Sequence, residues 1–295
     1  MKQFFPEDVK FISLLRHPIK QIESTFHYQE YDKLFLRHGF NRTSNKTSVF
    51  EDFFKSPMYH FRKALPLEES LPLLHNGMFF DLGYNFYNRT MSSEENDEIY
   101  KAIEEVDRDI DLMLIVEHID ESLVLMMREF CWTFEDIIYI KHNQRMHKKD
   151  HVVKSTSIRR QILKWNHADL LLYEHFNRTL WKRIEKHGPE FLDDLRFFKA
   201  KLKNFKMRCA FQGASVKTAE KSVKVSSHKT GGRVSAFDKP LCERVSLSEI
   251  DYIKRFRKSN VFEKLKKRRE RRILAVHQKR LRYSEENLKK KPSSA

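Results

Sequence analysis

The chain has 295 residues, 40% of them hydrophobic and 13% aromatic, with 24 Phe and 10 Tyr but only 7 Gly and 8 Pro. That is material for one sizeable core or two small ones, and it excludes collagen-like, low-complexity and wholly disordered classes. The formal net charge of +16 is unevenly held: residues 210–295 carry 24 Lys and Arg against 9 Asp and Glu, while residues 1–209 are nearly balanced, so the basic excess belongs to the tail and not to the body.

Residues Val9–Leu15 (Val-Lys-Phe-Ile-Ser-Leu-Leu) predict a buried strand, ended by Arg16-His17-Pro18. Pro18 suits the first turn of a helix that carries Ile19, Ile22, Phe26 and, further on, Phe35. Ser92 or Ser93 then caps an acidic-started helix reaching Val106. A second strand-helix unit follows: Leu112–Val116 is apolar, Glu117-His-Ile-Asp120 ends it, and Leu123, Met126, Met127 and Phe130 recur at helical spacing. Ile137–Ile140 is a third predicted strand. Strands alternating with helices predict an α/β fold with a parallel sheet flanked by helices.

Between Lys164 and His187, Leu172, Phe176, Leu180 and Ile184 recur every four residues, and Gly188-Pro189 ends that helix. A second amphipathic helix runs from Glu190 to about Met207 on Phe191, Leu195, Phe198, Leu202 and Phe205. These elements make a domain over 1–209. Residues 210–240, poor in large apolar side chains, read as a mobile loop; 241–260 reads as a helical segment rejoining the domain, and 261–295 as a basic helical tail. There is no internal repeat. The longest apolar runs, Leu112–Val116 and Leu123–Met127, are five residues each, against the roughly 18 to 20 needed to span a bilayer. Met1–Lys10 interrupts its apolar residues at Pro6, Glu7 and Asp8, so no signal-peptide core forms there.

The most informative segment is Leu14-Leu-Arg-His-Pro-Ile-Lys-Gln-Ile-Glu-Ser24. An Arg at the C-terminal end of a strand, with a hydroxyl two turns into the next helix, suits a phosphate, because ligands of open α/β sheets bind at that edge. The same residues also read as an Arg capping a sheet edge and a Ser on a helix surface. Lys229-Thr-Gly-Gly232 imitates a phosphate loop, but no buried strand precedes it. The three cysteines, Cys131, Cys209 and Cys242, form no CxxC and have no His at zinc-ligand spacing, so no metal is expected. A disulfide between Cys209 and Cys242 would close the 210–240 loop and leave Cys131 free and buried; three buried thiols is the other reading.

The Arg-x-Pro-x5-Ser pattern resembles the 3′-phosphate-binding segment of sulfotransferases that use 3′-phosphoadenosine 5′-phosphosulfate (PAPS). Phe79-Phe-Asp-Leu-Gly83, Asp120-Glu-Ser-Leu-Val-Leu125, Phe130-Cys-Trp132, Leu172-Tyr-Glu-His-Phe-Asn-Arg-Thr-Leu-Trp181, and Cys242 with Leu247-Ser-Glu249 and Tyr252 narrow the resemblance to the galactose-3-O-sulfotransferase family, which includes galactosylceramide sulfotransferase. The resemblance implies a P-loop-like sulfotransferase fold and transfer of sulfate from PAPS to the 3-hydroxyl of a galactose on a glycolipid or a glycoprotein glycan. It also implies a Golgi membrane location on the lumenal side. Arg16 and Ser24 map onto the 3′-phosphate contacts. Asn143 and Arg145, with Tyr173 and His175, are candidate substrate contacts.

Two departures stand out. His17 occupies a position where the family usually has an acidic residue. The family's 5′-phosphosulfate loop, with its Lys, and its catalytic base both lie upstream of this strand, so the chain is expected to be an N-terminally truncated member. The catalytic residues are then unknown: His75, His118, His142 and His175 are imidazoles without a mechanistic mark, and Trp132 and Trp165 suit a sugar face or a core equally. Four N-glycosylation sequons, at Asn41, Asn45, Asn88 and Asn177, point to a lumenal history. Besides the enzyme, the sequence admits an inactive remnant of the fold, or a protein that binds nucleic acid or another anionic surface through the basic tail.

Overall fold

The computed structural model describes residues 9–38, 40, 48–64, 71–86, 93–141, 155–209, 211–216, 225–230, 239–258 and 267. The chain divides into two compact units, Met1–Ile138 with His147–Lys203, and Tyr139–Met146 with Asn204–Ala295.

In the first unit, strand β1 (Ile12–Leu15) pairs in parallel with β2 (Leu112–Ile115), in a register that sets Ile12 opposite Leu112 and Leu15 opposite Ile115. A carboxylate pins each end of the pair. Below it, Asp111 accepts from the backbone N–H of Phe11 at 2.9 Å. Above it, Glu117 accepts from the backbone N–H of His17 at 3.1 Å. Strand β2 is buried throughout, but β1 is not the buried strand its composition predicts: Ile12 and Leu14 are 39% and 50% exposed. Among the described residues β2 is the only strand paired with β1, which leaves the other edge of β1 without a sheet neighbour. Ile137–Ile140 forms no strand. Thr133 and Asp136 close a turn immediately before it, with 2.8 Å from the Thr133 N–H to the Asp136 carboxylate, and Ile137, Ile138 and Ile140 are buried as irregular chain.

Helix α1 (Pro18–Tyr28) buries Pro18, Ile19, Ile22 and Phe26. It stops where Glu30 takes a left-handed φ of 54°, so Phe35 lies on a separate helix, α2 (Tyr31–Arg37). Short helices follow: α3 (Val49–Phe53), begun by a reciprocal Ser48–Glu51 capping box, α4 (Pro57–Ala64) and, after a 3-10 turn at Leu71–Leu74, α5 (Gly77–Asp81). They gather an aromatic core in which the Phe26 ring meets Phe50 at 5.0 Å and Tyr31 at 5.8 Å.

Helix α6 (Ser93–Asp109) leads into β2, and α7 (Ile119–Glu129) leaves it. The helix predicted from Lys164 to His187 is present as α9 (His167–Lys186), with Lys164 and Trp165 belonging instead to the end of a preceding helix, α8 (Thr156–Trp165). Asn166 divides them: its carboxamide oxygen is taken by a tertiary bond from the N–H of Asn76 at 2.8 Å, while its amide donates back to the Ile162 carbonyl of α8 at 3.3 Å. Helix α10 (Glu190–Arg208) follows Gly188, whose φ of 70° turns the chain.

In the second unit the stretch 210–240 is not a plain loop. β3 (Phe211–Val216) pairs antiparallel with β4 (Val225–Thr230), setting Phe211 opposite Thr230 and Val216 opposite Val225. Composition hid this, because a hairpin ladder is made by backbone groups and needs no large apolar side chains. The chain must also double back here, since Cys209 and Cys242 are joined by a disulfide with 5.6 Å between their Cα atoms. Helices α11 (Lys239–Ser246) and α12 (Glu249–Arg257) complete the described part of this unit, the second capped by the Ser248 hydroxyl. The basic tail over 261–295 lies outside the described residues apart from Lys267. Among the described residues no helix is long and apolar enough to cross a membrane, and no cluster of three metal-ligating side chains occurs.

Candidate functional site

A parallel strand pair delivers two chain segments to one edge, and here the C-terminal edge receives Arg16-His17 from β1 and Glu117-His118 from β2. Arg16 follows the last residue of β1, and its Nε is buried with no hydrogen-bond partner. A buried cationic donor left unmatched is costly unless an anion completes it. His17 explains its own departure from an acidic residue. Its Nδ1 accepts from the Ile19 N–H at 3.3 Å and caps α1, as an Asp side chain would. The negative charge comes instead from Glu117, which accepts from the His17 N–H and lies 3.5 Å from Lys20 Nζ.

Tyr173, on α9, completes this cluster. Its ring meets the His17 ring edge-on at 5.3 Å. Burial, then the Glu117 charge and a hydrogen bond to that carboxylate, push its hydroxyl up to about 12. It therefore donates a hydrogen bond to Glu117 and keeps its proton at neutral pH. Burial lowers the His17 pKa, with Lys20 and Arg159 acting in the same direction and Glu117 and Glu174 against it. His17 is thus held neutral as a cap.

Ser24 lies two turns along α1 and lines a cleft of about 250 Å³ with Gln21, Tyr28, Gly77 and Asp81 among its walls; Arg16 does not line it. Asp81, at the end of α5, has its pKa raised by burial. Helix α5 is itself anchored from α9: the buried Asp169 accepts from the N–H groups of Met78 and Phe79, both at 3.0 Å.

Other predicted residues go elsewhere. His175 pairs with Asp107 at 3.2 Å on α6, away from Tyr173's cluster. Trp165 is core: its Nε1 donates to the Leu74 carbonyl at 2.7 Å, and the buried His75 stacks on it at 3.8 Å. His118 meets Trp181 edge-on at 4.9 Å. Lys229 lies within β4, opposite Gln212 in an antiparallel ladder, not after a parallel strand. Cys131, expected buried, is exposed. It takes a left-handed φ of 54° just past α7, where the chain turns away and the Trp132 N–H closes on the Met127 carbonyl at 2.9 Å. Asn177 sits within α9 with its carboxamide oxygen buried and without a partner. Asn143, Arg145, His142 and the sequons at Asn41, Asn45 and Asn88 lie outside the described residues.

Sequence reasoning missed Glu117 and Asp81. A signal for Glu117 was present: it follows the apolar run of β2 almost as Arg16 follows that of β1. Asp81 stands out in the sequence only as part of the Phe79–Gly83 block, because the cleft that gives it a place also needs Gln21, Ser24 and Tyr28, more than fifty positions away.

The galactose-3-O-sulfotransferase family model matches residues 1–260. The mouse protein named galactose-3-O-sulfotransferase 3 is 31% identical over 191 residues, 64% of this chain and 41% of that protein. Mouse galactosylceramide sulfotransferase is 32% identical over 182 residues, 61% and 40% of the two chains. Human galactose-3-O-sulfotransferase 2 is 29% identical over 221 residues, 74% and 51%. This chain thus spans from two fifths to one half of the length of these relatives. No solved structure matches it. With the strand-Arg-helix segment and its Glu117 brace falling inside the matched span, the chain belongs to the galactose-3-O-sulfotransferase family.

Proposed function

We propose that the chain acts in transferring sulfate from PAPS to the 3-hydroxyl of a galactose, on a glycolipid of the galactosylceramide type or on a glycoprotein glycan, within a P-loop-like sulfotransferase fold. The observation that carries this reading is the buried Arg16 Nε without a partner at the C-terminal end of β1, directly before α1. A guanidinium in that place offers charge-assisted bonds to a phosphate, and the 3′-phosphate of the donor is such a group. Arg16 holds it, and Ser24, which lines a cleft further along α1, is the second contact that the family resemblance implies; Glu117, through the His17 N–H, keeps the turn between strand and helix in place.

PAPS supplies the sulfuryl group, and the residues of this chain bind and orient its nucleotide end. Correct placement of the donor lowers the entropic part of the barrier. The base that takes the galactose proton and the lysine that neutralises the 5′-phosphosulfate belong, by family resemblance, to a segment upstream of β1. A Golgi lumenal location is supported by the Cys209–Cys242 disulfide, since such bonds persist in oxidising compartments, and by the sequons.

Calorimetric titration of the chain with the product nucleotide, 3′,5′-diphosphoadenosine (PAP), tests this reading. The wild-type chain is expected to bind and Arg16→Ala to lose at least about tenfold in affinity, the scale of one charge-assisted contact. A folded wild-type chain that does not bind PAP would overturn the reading and leave a remnant of the fold without its donor site.

A further inference from the structure

Helices α2 and α4 enclose a second cleft, of about 240 Å³, that the donor reading does not use. Its floor is apolar, made largely by Phe35 and Phe40. Its walls carry His38 just past the end of α2, and Tyr59, His60 and Lys63 on α4. The polar tips of these four side chains make no hydrogen bond or ion pair with any described residue. Among the described residues no Asp or Glu lines the cleft. The carboxylate that acts on His60, Asp52, is buried and already paired with Lys55 at 2.6 Å. Tyr59 is 64% exposed, and the Phe40 ring packs on His60 at 4.4 Å between centroids, so aromatic rings and nitrogen donors line the same cleft.

Among the described lining residues Lys63 brings a positive charge, and His38 and His60, the latter kept towards its neutral form by burial and by Lys63, offer N–H donors, with no carboxylate among them to oppose an anion. Aromatic faces beside them suit the flat C–H face of a pyranose ring. The volume, below the roughly 300 Å³ at which pockets for drug-sized ligands begin, suits an occupant of about one ring. We propose that this cleft binds a single anionic sugar residue, a pyranose bearing a sulfate or a carboxylate, with its ring against Tyr59 and Phe40 and its charged group among His38, His60 and Lys63. The site lies on α2 and α4, not at the sheet edge that carries Arg16.

The full-length chain is titrated, in low salt and without nucleotide, with methyl 3-O-sulfo-β-galactoside, methyl β-glucuronide, uncharged methyl β-galactoside and sodium sulfate. Calorimetry and ligand-observed saturation-transfer NMR give the readout. At least one anionic sugar is expected to bind saturably, and which of the two binds identifies the group. The uncharged sugar and free sulfate are expected to bind at least about tenfold more weakly, as each lacks one half of the recognition. Lys63→Glu and Tyr59→Ala, at exposed positions, each weaken the sugar by about tenfold or more while the melting temperature holds; Lys63→Gln serves as a milder charge test. No saturable binding by the folded wild-type chain would overturn the proposal. So would equal binding of the uncharged sugar or of free sulfate, or binding indifferent to both substitutions. Because no nucleotide is present, these outcomes are independent of whether Arg16 binds PAP.

Discussion

Single residues carry most of the strain and most of the unmet polarity in this chain. Cys131 holds a left-handed backbone that favours glycine, in an exposed position where its side chain gains little packing. Cys131→Gly is expected to raise stability by about 0.5 to 1 kcal/mol, read as a higher denaturant midpoint, since the relieved Cβ clash outweighs the added chain entropy of glycine. Asp169 is the opposite case, a buried carboxyl pushed up to about 7 by burial, with the Asp81 charge adding to it and the Met78 and Phe79 N–H groups opposing. Its folded form keeps a proton that the unfolded chain releases near 3.8. Its contribution to stability is therefore present below about pH 4 and lost as pH rises towards 7, by up to about 1.4 kcal/mol per pH unit. His17 and His60, lowered by burial, tilt stability the other way near pH 6.5. Comparison with Asp169→Asn isolates the carboxyl: the advantage of the wild type should shrink from pH 4 to 7 and then level, and a flat difference would show that Asp169 ionises in the ordinary range.

At the level of elements, short helices are held by bonds from distant ones. The 3-10 turn at Leu71–Leu74 depends on Trp165 of α8, whose Nε1 satisfies the Leu74 carbonyl inside the core. Trp165→Phe keeps most of the aromatic volume but strands that carbonyl, and is expected to cost on the order of 1 to 3 kcal/mol, measured by chemical denaturation. The same dependence marks the limit of what the sequence makes legible. Pro18, Gly188 and the apolar spacing of α1, α9 and α10 announce those helices because their signals are local. The division at Asn166 is not legible, because its cause is Asn76, ninety positions away. Arg16 and Ser24 are visible as a spaced pair, whereas the brace from Glu117 needs the register of β1 against β2, and the cleft around His60 needs the packing of α2 beside α4.

For the molecule as a whole, the second unit is the one stitched covalently. The Cys209–Cys242 bridge spans 33 residues of separation, and closing a loop of that size is worth on the order of 3 to 4 kcal/mol through the unfolded state. Reduction is expected to increase protease cleavage within 210–240 while fragments of the first unit persist. Equal protection of the 210–240 segment before and after reduction would show that the hairpin needs no bridge.

The pairing of β1 with β2 has a consequence in time. Ile12–Leu15 can find its partner only after Leu112–Ile115 has been made, 100 residues later. At roughly 5 to 20 residues per second, the nascent β1 waits about 5 to 20 seconds with its ladder groups open and Leu15, which the folded chain buries, uncovered. The helices between the strands, whose contacts are nearer in sequence, have that interval in which to form first. The turn between β1 and α1 is then among the last parts of the sheet edge to be set, because the carboxylate that holds the His17 N–H arrives only with Glu117.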